Sequence, residues 1–161
     1  MNRLWAPWRQ AYIQPKRPPQ KGCLFCRLIQ APSRKDRSHQ ILKRTTHSFA
    51  ILNLYPYNNG HVMIVHCRHA ASLHQLKDEE KLDLLSLFDS VMQALKKRLK
   101  PQGFNAGINM GKVAGAGIPG HIHLHLVPRW KGDSNFMPVV GETKVISQSL
   151  KQVYELITPL L

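Results

Sequence analysis

Residues 121–127 read His-Ile-His-Leu-His-Leu-Val. In a strand, alternate side chains share a face. Ile122, Leu124 and Leu126 then face a core, while His121, His123 and His125 line the other side, roughly 6–7 Å apart. Histidine titrates near neutrality and acts as nucleophile, base or ligand. A lone histidine on such a strand reads as an ordinary half-buried polar residue. Three, filling every polar slot, read as chemistry. The preceding loop, Gly111-Lys112-Val113-Ala114-Gly115-Ala116-Gly117-Ile118-Pro119-Gly120, has four glycines in ten residues. Glycines let backbone N–H groups approach a phosphate closely, so this loop, Gly117 included, reads as a phosphate cradle. It is not a P-loop, because Val113 follows Gly111-Lys112 and Ala106 stands where a first glycine is needed.

A second candidate lies far away in sequence. Cys23-Leu24-Phe25-Cys26 has the spacing of half a zinc site, with two inert buried thiols as the plainer reading. Three cysteines, an odd number, argue against a disulfide framework and for reduced thiols in a cytoplasmic protein.

Composition limits the chemistry further. The 161 residues suit a single domain, and 43% hydrophobic content is too much for a disordered polybasic chain. No run of 18 apolar residues occurs, which excludes a spanning helix. The net charge of +14 favours an anionic partner: nucleotide, nucleic acid or anionic surface. It is unevenly spread. Residues 1–77 hold thirteen Lys and Arg against Asp36 alone, a net +12, whereas residues 78–161 hold ten against eight, a net +2.

The elements that must position these residues follow from pattern. Residues 1–22 read as an arm, with Trp5, Trp8 and Tyr12 as anchors and Pro15, Pro18 and Pro19 keeping it extended. The polar, basic stretch Ala31–His39 reads as a loop. Gln40–Lys43 and Ser48–Leu52 read as a hairpin, and His61–Val65, Phe104–Asn109 and His121–Val127 as strands. Asp78–Lys100 reads as a long helix burying Leu85, Phe88, Met92, Leu95 and Leu99. Its acids lead and its bases trail, matching the macrodipole, and Pro101 stops it. Val145–Ile157 reads as a shorter C-terminal helix. The expected class is α+β, an antiparallel sheet carrying a long helix.

With these residues in view, the chain resembles the histidine triad superfamily, whose signature is His-φ-His-φ-His-φ-φ with φ apolar. Further segments resemble its branch of diadenosine polyphosphate phosphorylases and hydrolases, related to the fragile histidine triad enzymes. They are Leu4-Trp5-Ala6-Pro7-Trp8-Arg9, Cys23-Leu24-Phe25-Cys26, Leu52-Asn53-Leu54-Tyr55-Pro56-Tyr57-Asn58, Gly60-His61, and Pro128-Arg129-Trp130 through Gly132-Asp133 to Asn135-Phe136-Met137. The resemblance implies that His123 attacks the α-phosphorus of a nucleotide, forming a nucleotidyl-histidine that water or inorganic phosphate releases. His125 would contact phosphate oxygens or the leaving group, Asn109 the phosphates and Asn53 the ribose. Ile51 and Met63 would wall the base pocket, and His61 would support the catalytic histidines from behind. The resemblance also implies that His69 and His121 complete a structural zinc site with Cys23 and Cys26, and that two copies pair through the long helix and a sheet edge. Cys67 would stay a free core residue, and His66 and His74 have no role.

One departure bears on the leaving group. Many relatives carry a Gln-Ser or Gln-Thr pair shortly before the triad, where this chain has Gly117-Ile118. Phosphate contacts would then come from backbone N–H groups, Lys112 or Arg129. The implied substrate is a dinucleoside polyphosphate such as diadenosine tetraphosphate. Two other readings stay open: removal of AMP from amines or adenylated nucleic-acid ends, and non-catalytic binding of nucleotide or RNA.

Overall fold

A computed structural model describes residues 22–133, 137–141 and 143–161. The aromatic arm expected over residues 1–22 lies outside these apart from Gly22, as do residues 134–136 and Glu142. The described chain begins with α1 (Leu24–Gln30), a 3₁₀ turn (Ser33–Lys35) and α2 (Asp36–His39). Strands β1 (Ile41–Arg44), β2 (Ser48–Leu52) and β3 (Val62–His66) precede the long α3 (Asp78–Leu99). Then come β4 (Gly103–Gly107), β5 (His123–Arg129), α4 (Met137–Val140) and α5 (Leu150–Ile157). The strands form one antiparallel sheet in the order β1-β2-β3-β5-β4. The architecture is α+β, as the sequence predicts.

Strict alternation divides the sheet into two chemically different faces. Ala50, Leu52, Val62, Ile64 and Leu126 point under α3 and α5 and join Leu84, Leu87, Val91, Val153 and Ile157 in the main core. Phe49, Ile51 and Val65, the odd-numbered partners on the same strands, form a smaller cluster with Phe25 of α1 and Ile41. The histidines stand on this second face.

Several expected boundaries move, each for a local reason. The segment 31–39 is not a loop but two short helical turns. Arg44 organises it: its guanidinium donates to the carbonyls of Leu28, Ile29 and Ala31 and clasps Asp36 at 2.7 Å. One side chain thereby satisfies the orphan carbonyls ending α1 and fixes α2. β4 stops at Gly107, leaving Asn109 beyond the strand. β5 starts at His123, because the backbone N–H of Ile122 donates to Ala70 rather than to the ladder. The last helix begins at Leu150, where Ser149 and Gln152 form a capping box.

α3 buries most of the expected stripe, rotated slightly about its axis. Leu95 is buried and Phe88, Met92 and Leu99 pack partly covered against the main core, whereas Leu85 is 56% exposed and Leu84, Leu87, Val91 and Ala94 are the other buried apolar residues. The two overlapping stripes both have helical spacing, and the sheet decides which residues lie innermost. Gly60 sets the turn that delivers His61. Its φ is +71°, a left-handed conformation that favours glycine, and a Cβ there would also come within 2.6 Å of Leu99 Cδ1, the movable tip of a side chain. No helix among the described residues is long and apolar enough to cross a membrane.

Candidate active site

The second face of the sheet opens into a cleft of about 470 Å³. Phe25, Leu28, Ile51, Met63 and Ile118 give it apolar walls, and His123, His125 and Asn53 are among its polar lining. This pattern, a mainly apolar cavity with a few convergent polar groups, suits an organic ligand. A groove of about 520 Å³ beside Trp130 and Arg98 holds none of the triad histidines, so the chemistry points to the former.

Hydrogen bonds fix the tautomer of each histidine. His123 Nδ1 lies 2.8 Å from the carbonyl of His121 and donates to it. Its Nε2 therefore keeps the lone pair. On His61, the Nδ1 accepts from the backbone N–H of Tyr57 at 3.1 Å and faces the Asn53 amide at 3.3 Å. His61 Nε2–H can then only donate, and it meets His125 Nδ1 at 2.9 Å. This leaves His125 with its proton on Nε2. One lone pair and one N–H thus stand on adjacent side chains of the same strand face, their rings 5.0 Å apart. Burial holds all three rings neutral. It lowers His123 against the opposing bond to the His121 carbonyl. Burial and the neighbouring His123 push His125 down to about 4. Burial, with His125 and His123, pushes His61 down to about 3.

His121 is turned elsewhere. Its Nε2–H donates to the His66 carbonyl at 2.6 Å, so the Nδ1 lone pair faces sulfur, 3.2 Å from Cys23 and 3.6 Å from Cys26. His69 Nδ1 lies 3.3 Å from Cys26. One donor atom from each of the four lies within 4.8 Å of the others, so they form a group that can hold a metal ion. The donor set fits: two thiols and two imidazoles suit tetrahedral zinc. Burial and the adjacent Cys23 push the Cys26 thiol up. Two thiolates this close repel, and a divalent cation is the natural way to ionise both.

Of the expected nucleotide contacts, Ile51, Asn53, Met63 and Gly117 line the cleft and His61 lies behind His125. Asn53 Oδ1 also accepts from the Tyr55 N–H, which holds the side chain in place. Asn109 is not in the wall. Its amide sits beneath the glycine loop, 3.7 Å from the position of a Cβ on Gly115. Two participants were not anticipated. Phe25 packs edge-on against His121 and His123, with centroids 5.4 and 5.1 Å away. Tyr57 stacks over His125 at 5.6 Å. Phe25 sits inside the Cys-x-x-Cys segment, so the signal that it travels with that segment to the histidines was present.

Comparison with known proteins gives the same picture. A family model described as the HIT domain matches residues 34–132. An AP-4-A phosphorylase of Mycobacterium tuberculosis is 36% identical over 161 residues, covering 98% of this chain and 83% of the relative. An adenosine 5'-monophosphoramidase of Schizosaccharomyces pombe is 31% identical over 108 residues, covering 67% of this chain and 74% of the relative. Among solved structures, a Zn-bound histidine triad family protein from Mycobacterium smegmatis matches the fold with a TM-score of 0.67 at 23% identity, covering 86% of this chain and 92% of that one.

Proposed function

This chain belongs to the HIT family, and from that premise we propose that it is a nucleotidyl hydrolase or phosphorylase cleaving dinucleoside polyphosphates through a covalent nucleotidyl-histidine. The carrying observation is the complementary pair on β5: a lone pair on His123 Nε2 and an N–H on His125 Nε2 at one cleft.

The base occupies the apolar end, between Ile51 and Met63, and Asn53 meets the ribose hydroxyls. Glycine-loop backbone at Gly117 approaches the phosphates. His123 Nε2 attacks the α-phosphorus, and the His121 carbonyl accepts from the Nδ1–H that becomes more acidic as positive charge develops. The bridging P–O bond breaks, and the leaving oxygen keeps the electron pair and departs as an anion, accepting a hydrogen bond from His125 Nε2–H. Water or inorganic phosphate then attacks phosphorus, its proton passing to solvent, while the P–N electron pair returns to Nε2 and releases nucleotide and neutral His123. His61 keeps His125 in the donor tautomer throughout. Asn109, whose amide lies beside Gly115 of the loop, would meet the phosphates from there.

Cys23, Cys26, His69 and His121 would hold zinc. Its contribution would be structural, tying the start of α1 to the entry of β5, and no chemical step passes through it. The outer stripe of α3, with Leu82 at 68% and Leu85 at 56% exposure, supports a homodimer formed through this helix and the β4 edge. The three thiols are free, in keeping with the cytoplasm.

A second reading keeps the covalent step but changes the leaving group to an amine. The absence of a side-chain donor at Gly117-Ile118 favours it. An adenylated nucleic-acid end is a further variant suggested by the +14 charge. Incubation with diadenosine tetraphosphate separates these possibilities. AMP and ATP in buffer alone identify a hydrolase. ADP and ATP formed only with added phosphate identify a phosphorylase. Unchanged tetraphosphate with turnover of adenosine 5'-phosphoramidate leaves the amine reading.

A further inference from the structure

The face of β5 that carries His123 and His125 continues past them. Alternate side chains share a face, so Val127 and Arg129 extend the row. On β4, Asn105 stands opposite Val127 and joins the same face. Together with Tyr57, Asn58 and Lys144, these residues line a separate cleft of about 280 Å³. Tyr57 belongs to the walls of both clefts. Its ring lies over His125 at an interplanar angle of 27° and over His61 at 4.5 Å. The two clefts therefore adjoin at His125.

Their linings differ in kind. The first is mainly apolar, whereas the second carries cations. Arg129 donates to Asp133 through Nε and Nη2 and to Asn105 Oδ1 through Nη1 at 2.7 Å. Lys144 donates to the backbone carbonyl of Asp133. Two cations stand against one carboxylate, which leaves a net positive charge about 13 Å along the strand from His125. Lys112, the other cation near the triad in sequence, lines neither cleft.

We propose that this second cleft receives the departing half of the substrate, a nucleoside polyphosphate whose phosphates run from His125 toward Arg129 and Lys144. The inference rests on the nucleotidyl-histidine reading above. In an in-line displacement the leaving oxygen departs away from the attacking nitrogen. As the bond from His123 Nε2 to the α-phosphorus forms, the bridging P–O bond breaks, and its electron pair stays on the leaving oxygen, which accepts a hydrogen bond from His125 Nε2–H. The product is an anion, and the charged cleft is where it is stabilised. Arg129, Lys144 and Asn105 thereby take over the phosphate contacts that Gly117-Ile118 cannot supply through side chains.

The test compares two substrates that yield the same adenylyl enzyme. Diadenosine tetraphosphate has a polyanionic leaving group and adenosine 5'-phosphoramidate has none. Lys144→Glu should lower the ratio of their kcat/KM values, tetraphosphate over phosphoramidate, by about tenfold, and flatten the dependence of that ratio on salt. Asn105→Asp should shift it the same way by a smaller factor and serves if Lys144→Glu fails to fold, with the oligomeric state of each variant measured alongside because Asn105 lies on the edge strand proposed to pair in the dimer. An unchanged ratio in active variants overturns the inference, whether both substrates slow together or neither does. A wild-type protein that turns over neither substrate and forms no adenylyl enzyme overturns the underlying reading as well, a result visible without any variant.

Discussion

His121 and His123 are two residues apart, buried, and oriented by the same device, a ring N–H given to a main-chain carbonyl. They differ in which nitrogen is tied. His121 commits Nε2 to His66 and turns Nδ1 toward two thiols. His123 commits Nδ1 to His121 and turns Nε2 toward an open cleft. The choice of nitrogen, set by where each carbonyl lies, separates the proposed metal ligand from the proposed nucleophile. The carbonyl orienting His123 belongs to His121 itself, so the Cys/His group and the histidine row share a backbone.

That contrast breaks most sharply at the nucleophile. His123→Ala should reduce turnover by about 10⁴-fold or more while leaving the melting temperature close to wild type, as measured by steady-state kinetics and thermal denaturation. His125→Asn should cost about 10²- to 10³-fold, because the charge building on the leaving oxygen loses the N–H aimed at it. The loss should shrink for a substrate whose leaving group develops less negative charge. Cys23→Ser probes the other region. It should lower metal content and reduce the melting temperature by roughly 5–10 °C, with the smaller effect on activity per folded molecule.

The mildest effect is on pH dependence. His61 and His125 titrate at about 3 and about 4 when folded, well below the ordinary 6.5. Between those values the unfolded chain binds more protons, so stability declines as pH falls from about 6.5 toward 4. Urea denaturation at several pH values should show that slope, and it should be shallower in His61→Asn.

The placement of the histidines on one side of the sheet was legible because period-two alternation is a local property of a strand and His121-Ile122-His123-Leu124-His125 obeys it. The grouping of Cys23 and Cys26 with His69 and His121 could be named only through resemblance, since nothing in the spacing joins residues nearly a hundred positions apart. The inward face of α3 was legible except at its first turns, where adjacent leucines, Leu84 with Leu85, offer two overlapping helical stripes and packing against β2 and β3 selects between them. The turns at 33–39 escaped because a single arginine beyond them in sequence, Arg44, organises them. The tautomer of His125 was illegible for a similar reason. It depends on a backbone N–H of Tyr57 two links away.

The covalent step is the centre of this account, and trapping it is the most direct test. Protein mixed with diadenosine tetraphosphate should be quenched in alkali, which preserves a phosphoramidate bond, and its peptides analysed by mass spectrometry. One adenylyl group on the peptide bearing His123, absent in His123→Ala, is the result predicted. Turnover with no adduct, or with the adduct on another residue, would contradict it.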